Sequence, residues 1–347
     1  MWALENNTTF EAERSFVRDR DGAEIWLVAV RGTFDLHRDG RIMLAERQVP
    51  PMLAPQYFGD PSLSPLRYDS DLVRTKSATD VIVHGTAHAP RGHRVAQAVV
   101  RLAVGSIDKS VVVRGDATVT KSWTGRLASS PPTEFERLPL TYSRAFGGSS
   151  STIPSGGVPA WEPSNPIGVG LDAREGKPLP NQYYPGEEIT PGARLRPASF
   201  GPIPASWQPR LGFAGTYDAR WQAERQPLVP DDFDDRYFQC APSDQQVPGF
   251  LRGGEQVTLE NFTPDGLLRF ALPRVSLGFT TSIDGGIVHH RADLHTIIIE
   301  PDDARLSMVW HTALPCHHTI YSLRCTRVFE KRRLERQGAE QLAEVTK

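Results

Sequence analysis

The sequence predicts a mainly β fold: an antiparallel β-sandwich or two β-rich lobes, with a long Pro/Gly-rich irregular insertion and few short helices. Three observations predict it. Short apolar runs rich in Val, Ile and Thr recur at roughly ten-residue intervals with Gly or Asp between them. Gly and Pro number 29 each in 347 residues, too many for a helical bundle. The excess is also local, because residues 131–210 hold 15 Pro and 10 Gly between two strand-rich parts.

The strands follow in order. Glu24–Arg31 is β-branched and aromatic, and Thr33–Leu36 and Arg41–Leu44 flank Asp39-Gly40, a hairpin signal because Gly accepts the positive φ of such turns. Asp80–Thr86, Ala98–Val104, Lys109–Arg114 and Thr118–Trp123 complete the first third. Proline lacks a backbone donor and glycine weakens regular elements, so residues 131–210 cannot be mostly helix or sheet. Trp161, Tyr183, Tyr184, Phe200, Trp207 and Phe213 lie in or just beyond this stretch, which suits an ordered excursion laid over the sheet, with a mobile tip at 149–157, better than a linker. A short helix is expected over Asp218–Arg225, ended by Pro227. Strands return at Gln256–Asn261, Gly266–Leu272, Asp293–Glu300 and Arg305–His311, with turns at Thr263–Gly266 and Pro301–Ala304. Tyr321, Leu323, Cys325 and Phe329 fall at even spacing, predicting a half-buried strand with those residues inward. Residues 330–347, charged and free of Pro, suit an exposed helix. The chain thus divides into an N-terminal β-rich part (1–125), an irregular Pro-, Gly- and aromatic-rich segment packed on the sheet (126–250), a C-terminal β-rich part (251–330) and a charged tail (331–347).

Composition excludes some function classes. Lys and Arg total 39 against 41 Asp and Glu, a formal net charge of -2, so the basic excess of a nucleic-acid binder is missing. The longest aliphatic and aromatic run is Ile25–Val30, far short of the ~20 residues that span a bilayer. The N-terminus lacks a basic and apolar leader, and Cys240, Cys316 and Cys325 form no disulfide framework. A cytoplasmic location without membrane insertion is the expectation.

Several residue groups invite a chemical reading beside a plainer one. His289-His290, His295, His311 and His317-His318 supply potential metal ligands, but without fixed ligand spacing they also read as scattered strand histidines. Asp231–Asp235 carries four carboxylates that could hold calcium or begin a helical turn, and it lacks the glycine and final glutamate of a calcium loop. Gly168–Ala173 fits a dinucleotide fingerprint in letters only, since prolines rather than a strand and a helix flank it. Cys240 reads as a nucleophile or a buried small hydrophobe. Lys331–Arg333, flanked by acids, reads as a solvated face. The aromatics from Trp207 to Phe238 are either glue for the irregular segment or a sticky surface, because Trp, Tyr and Arg are enriched in binding hot spots. Trp207, Tyr217, Trp221, Arg225 and Tyr237 are the candidate partner contacts.

An ordered series of motifs carries a resemblance. It runs through Asn6–Phe10, Phe16–Asp19, Leu53–Asp60, Arg67–Leu72, Thr79–Gly85, Arg144–Gly148, Asn165–Gly168 and Phe200–Pro204. It continues with Ala214–Asp218, Asp231–Asp234, Ala241–Gln245, Leu251–Glu255 and Ile299–Asp302. The chain resembles the bacterial family of uncharacterised domains encoded beside type VI secretion effectors, the effector-loading adaptors, over about residues 2–330. The resemblance implies an adaptor or chaperone, not an enzyme, with no catalytic residues and no cofactor to carry over. Such a protein would bind a toxin effector, often one with a PAAR-type tip, and help load it on the spike protein of the contractile machine. The alternative is a metal-dependent hydrolase on a β scaffold using the C-terminal histidines.

Overall fold

The computed structural model describes residues 2–151, 157–317 and 320–331. Fifteen strands matter here: β1 (Ala3–Asn7), β2 (Glu11–Arg18), β3 (Glu24–Leu36), β4 (Ala78–Val83), β5 (Thr86–His88), β6 (Gln97–Val104), β7 (Ile107–Arg114) and β8 (Arg137–Pro139) in the first half, then β9 (Gln256–Glu260), β10 (Leu267–Ala271), β11 (Leu277–Ile283), β12 (Gly286–His290), β13 (Asp293–Glu300), β14 (Arg305–His317) and β15 (Cys325–Glu330). Helix is confined to α1 (Ala219–Glu224) and several 3-10 turns among the described residues. The fold is mainly β with several sheets, as the sequence predicts.

The two strand-rich parts do not make separate sheets. A seven-stranded sheet runs Gln246–Pro248, β4, β13, β14, β3, β2, with Ile42–Leu44 also paired to β3. A five-stranded sheet runs Gln182–Tyr183, β7, β6, β9, β10, and a four-stranded one runs β1, β15, β11, β12. Each sheet mixes N- and C-terminal strands, and one apolar core reaches from Phe10 to Val328. Alternation along the strands explains the division of labour. Trp26, Val28 and Val30 face this core, while Arg31 points to the opposite face, as do Asp80 and Thr296 on neighbouring strands. That second face is covered by residues 45–77 and 237–241 and is unusually polar: Arg31 reaches Asp71 (3.5 Å) and Ser307 (3.3 Å), and Lys76 reaches Asp80 (2.7 Å).

Some expected elements differ. Glu24–Leu36 is a single strand that runs through Gly32, where an added Cβ would lie 3.0 Å from the Phe10 ring. The run from Asp80 to Thr86 instead splits at His84-Gly85, and Thr118–Trp123 is a strand only over Val119–Lys121. In β15 the inward residues are Thr326 and Val328, not Cys325 and Phe329; the 3-10 turn Ile320–Ser322 shifts the register by one and leaves Tyr321 exposed. β1, β2, β11 and β12 were not expected from sequence. The helix is confirmed, with Asp218 capping it through Trp221 N (2.9 Å). The expected mobile tip lies partly, and the C-terminal helix almost wholly, outside the described residues; Glu330 belongs to β15.

Between 131 and 250 order comes from paired motifs rather than long ladders. Asn165 Nδ2 donates to the carbonyls of Tyr142 (2.8 Å) and Phe146 (2.9 Å), tying Asn165–Gly168 to Arg144–Gly148. A Cβ on Gly168 would lie 2.6 Å from the Ala145 carbonyl oxygen, so glycine is required by close approach and not by a dinucleotide. Thr216 binds Asp232 through both its amide (2.9 Å) and its hydroxyl (2.7 Å). Gln245 Nε2 donates to Val81 (2.7 Å) and Phe200 (2.9 Å).

Candidate functional site: a motif-lined groove

The chain turns at His84-Gly85 between β4 and β5, and there a hollow of about 530 Å³ opens on the surface. One wall comes from Phe58 and Pro65–Arg67, the other from Pro139–Ser143 with Ser199 and Gly201, and Glu300, Asp302 and Asp303 at the end of β13 close it. A second hollow of about 400 Å³, lined by Arg38, His88, Arg137 and Phe262, shares Asp302 with the first.

The groove is built on an ion-pair network around the buried Glu300. Glu300 accepts from Tyr68 Oη (2.5 Å) and from Arg305 Nε (2.7 Å). Burial alone would push the Glu300 carboxyl up, but these two donors outweigh it and hold it below its ordinary value. Arg67 reaches Glu300 (3.5 Å) and Asp303 (3.4 Å), and its guanidinium lies over the rings of Phe58 (5.3 Å) and Tyr68 (5.1 Å). His84 Nε2 donates to the Arg67 carbonyl (2.6 Å), and burial pushes its pKa down, so the ring is neutral with Nδ1 as its acceptor. Phe58 stands edge-on to His84 at 5.4 Å and remains 54% exposed. The result is an apolar ring at the mouth of a groove, fixed from below by a cation and an imidazole.

The five contacts expected from sequence are placed differently. Trp207 is 5% exposed and packs edge-on against Tyr142 at 5.7 Å, so its ring belongs to the interior. Tyr217, 56% exposed, stacks edge-on with Trp221 at 4.7 Å. Trp221 is half-buried, its Nε1 donating to Leu228 O (2.7 Å), and Arg225 pairs with Asp231 (3.0 Å) and donates to Val229 O (3.3 Å). Tyr237 sits between Phe233 (5.5 Å) and Phe238 (5.7 Å) in a neighbouring cluster. Tyr217, Trp221 and Arg225 thus lie in or beside α1, and the polar groups of Trp221 and Arg225 are spent on contacts within the fold.

The other chemically suggestive residues have partners within the fold. Asp231, Asp232, Asp234 and Asp235 bind Arg225, Thr216, Arg236 and Arg74 respectively. Burial pushes the Cys240 thiol far up, so it stays protonated beside Lys76 and Asp80. His290 bridges Thr312 (2.7 Å) and Thr281 (2.8 Å), while His295 and His311 stack on each other in the interior. Among the described residues no group of three or more His, Cys, Asp or Glu side chains is placed to hold a metal ion.

Sequence reasoning missed Phe58, Arg67, His84, Glu300 and Asp302 as site residues. The signal was present in the motifs Leu53–Asp60, Arg67–Leu72, Thr79–Gly85, Phe200–Pro204 and Ile299–Asp302, which are far apart in the chain and converge on this one groove. The fold is that of a β-rich protein with an open hollow lined by these motif stretches. Over residues 21–311 the chain matches the family described as "Uncharacterized protein conserved in bacteria (DUF2169)", and it belongs to that family. No curated protein and no solved structure matches it. Among the described residues no helix is long and apolar enough to cross a membrane.

Proposed function

We propose that the chain is a cytoplasmic adaptor that binds a type VI secretion toxin effector, of the kind bearing a PAAR-type tip, and hands it to the secretion spike protein. The observation that carries the reading is the convergence of five motif stretches on the Phe58–His84–Glu300 groove. Those same stretches belong to the series that resembles the effector-loading adaptors. The groove has the anatomy of a binding hot spot: an exposed aromatic anchor, an adjacent arginine and a polar rim. Because Arg67 and His84 are already held by Glu300 and by the backbone, a partner would not have to order them on binding, which lowers the cost of association. The protein would hold the effector through this surface and release it without chemistry.

Co-expression with the effector encoded beside the chain tests this. A stable complex should co-purify, and Phe58→Ala should weaken it. Absence of any complex, together with effector delivery unchanged by deletion of the adaptor, would overturn the reading.

A further inference from the structure

Among the described residues the three large sheets end in six strands, with the three-residue Ile42–Leu44 beside β2 as a short seventh edge, and all but one of these edges are protected. Gln182–Tyr183 is two residues long, and Gln246–Pro248 is short and ends in proline. β2 carries Glu11, Glu13, Arg14 and Arg18, and β1 carries Glu5, which pairs with Arg327 (2.8 Å). β10 is abutted by the β3 hairpin turn, where a Cβ on Gly40 would lie 2.0 Å from the Arg269 carbonyl oxygen. Charge, proline, shortness and cover are the usual defences against unwanted strand pairing.

β12 has none of them. It reads Gly286-Ile287-Val288-His289-His290, five residues without acid, lysine, arginine or proline, and among the described residues it pairs only with β11. Ile287 is 67% exposed. The strand is also anchored at its last residue, since the two ring nitrogens of His290 bond to Thr312 and Thr281. An uncharged, preformed edge is a template for one more strand.

We propose that β12 accepts an extended, uncharged strand of the bound effector, extending the four-stranded sheet by one. This rests on the adaptor reading above. An uncharged occupant follows from the edge itself, because a charged strand would bury its charges against Ile287 and Val288 with no counter-ion on β12. A second copy of the chain is disfavoured by size: a five-residue ladder is about 17 Å long and falls well short of the ~1,600 Å² of a standard stable interface. A partner already seated at the groove needs no such area, because its second contact is intramolecular. β13 leads from Asp293, three residues past β12, to Glu300 at the groove, about 23 Å at ~3.3 Å per residue, so roughly seven extended residues would bridge the two sites.

Hydrogen exchange of the 284–291 segment, with and without the neighbouring effector, tests the proposal. The amides of this segment that are not bonded to β11 should exchange freely in the isolated chain and slow by tenfold or more in the complex. Ile287→Lys should weaken effector binding about tenfold while leaving the melting temperature unchanged. If the complex forms, responds to Phe58→Ala, and leaves both 284–291 exchange and Ile287→Lys affinity unaltered, the edge proposal fails and the adaptor reading stands. Protection of these edge-facing amides already present in the isolated chain overturns it in favour of cover by the chain itself, and their protection rising with concentration alongside a doubled mass overturns it in favour of self-pairing. Failure of the wild-type chain to bind the effector at all removes both readings together.

Discussion

His295 and His311 stack inside the protein with ring centroids 4.6 Å apart and planes 22° from parallel, and Phe250 stacks on the outer face of His295 at 5.5 Å. Burial, reinforced by the nearby Lys76 ammonium, pushes His311 down to about 3, and burial with His311 and Lys76 holds His295 well below its ordinary value. In the unfolded chain both titrate near ~6.5. Between these limits the unfolded state binds more protons, so the stability contribution is complete above ~6.5 and is lost as pH falls toward about 3. The expected slope is about 1.4 kcal/mol per pH unit for each ring. Urea unfolding at pH 7.5, 6.5, 5.8 and 5.2 should show stability falling with pH, and His311→Gln should flatten the slope by about one ring's share. An unchanged slope would mean that the ring is not held neutral in the fold.

Lys76 and Asp80 lie on the same covered face of the sheet. Lys76 Nζ donates to Asp80 (2.7 Å) and to Thr296 Oγ1 (3.0 Å), and Asp80 also accepts from Gln239 Nε2 (2.8 Å) and Cys240 N (2.9 Å). Removing the cation leaves a buried carboxylate without its counter-ion. Lys76→Met should therefore cost about 3–5 kcal/mol in denaturant unfolding, and adding Asp80→Asn should recover part of it. A double variant as unstable as the single would place the loss in packing instead.

Cysteine reactivity follows burial. Cys240 and Cys316 are buried and Cys325 is only half-buried, with burial pushing the Cys240 thiol well up. A thiol reagent at pH 8 should label one site in the native protein and the other two only on unfolding, with Cys325→Ser abolishing the native reaction. Native labelling of Cys240 would reopen its reading as a nucleophile.

Asn165 is fully buried and serves two carbonyls from a segment about twenty residues earlier in the chain. Asn165→Ala should cost about 2–3 kcal/mol, since two buried acceptors lose their donor, and Gly168→Ala should destabilise as well because its Cβ would meet the Asn165 side chain and the Ala145 carbonyl. Thermal melting of both variants measures this; a near-wild-type Asn165→Ala would show that the irregular segment is held elsewhere.

These contacts explain what could be read in advance. The Asp39-Gly40 hairpin, the 293–300 and 305–311 strands and the short helix before Pro227 were legible because each is local: a turn residue, a short apolar run or a helix-ending proline decides it. β12 was hidden, although Asp284-Gly285 marks its turn, because its His-rich run lacks the alternation that signals a strand. β15 was misread by one residue because the Ile320–Ser322 turn consumes a position that pure alternation cannot see. The groove was illegible for a different reason. Phe58, His84 and Glu300 are 26 and 216 residues apart along the chain and meet only after β4 and β13 pair in parallel. The aromatic density near Trp221 was visible, but density does not report exposure, and Trp207 was spent on packing.

Binding should separate these two aromatic regions. Phe58 is exposed, and its removal uncovers the face of Arg67 without opening a cavity in the core. Phe58→Ala should leave the melting temperature nearly unchanged and weaken effector binding by at least tenfold, a loss of about 1.4 kcal/mol or more and typical of a hot-spot aromatic. Arg67→Ala should weaken binding too, but it also strips a cation from buried Glu300 and should lower stability. Trp221→Ala should do the reverse of Phe58→Ala, costing stability through the lost Leu228 hydrogen bond and Tyr217 contact while sparing affinity. Calorimetric titration and thermal melting of the three variants give the decisive comparison. If Trp221→Ala loses affinity and Phe58→Ala does not, the partner sits on the α1 aromatics and the groove has another use.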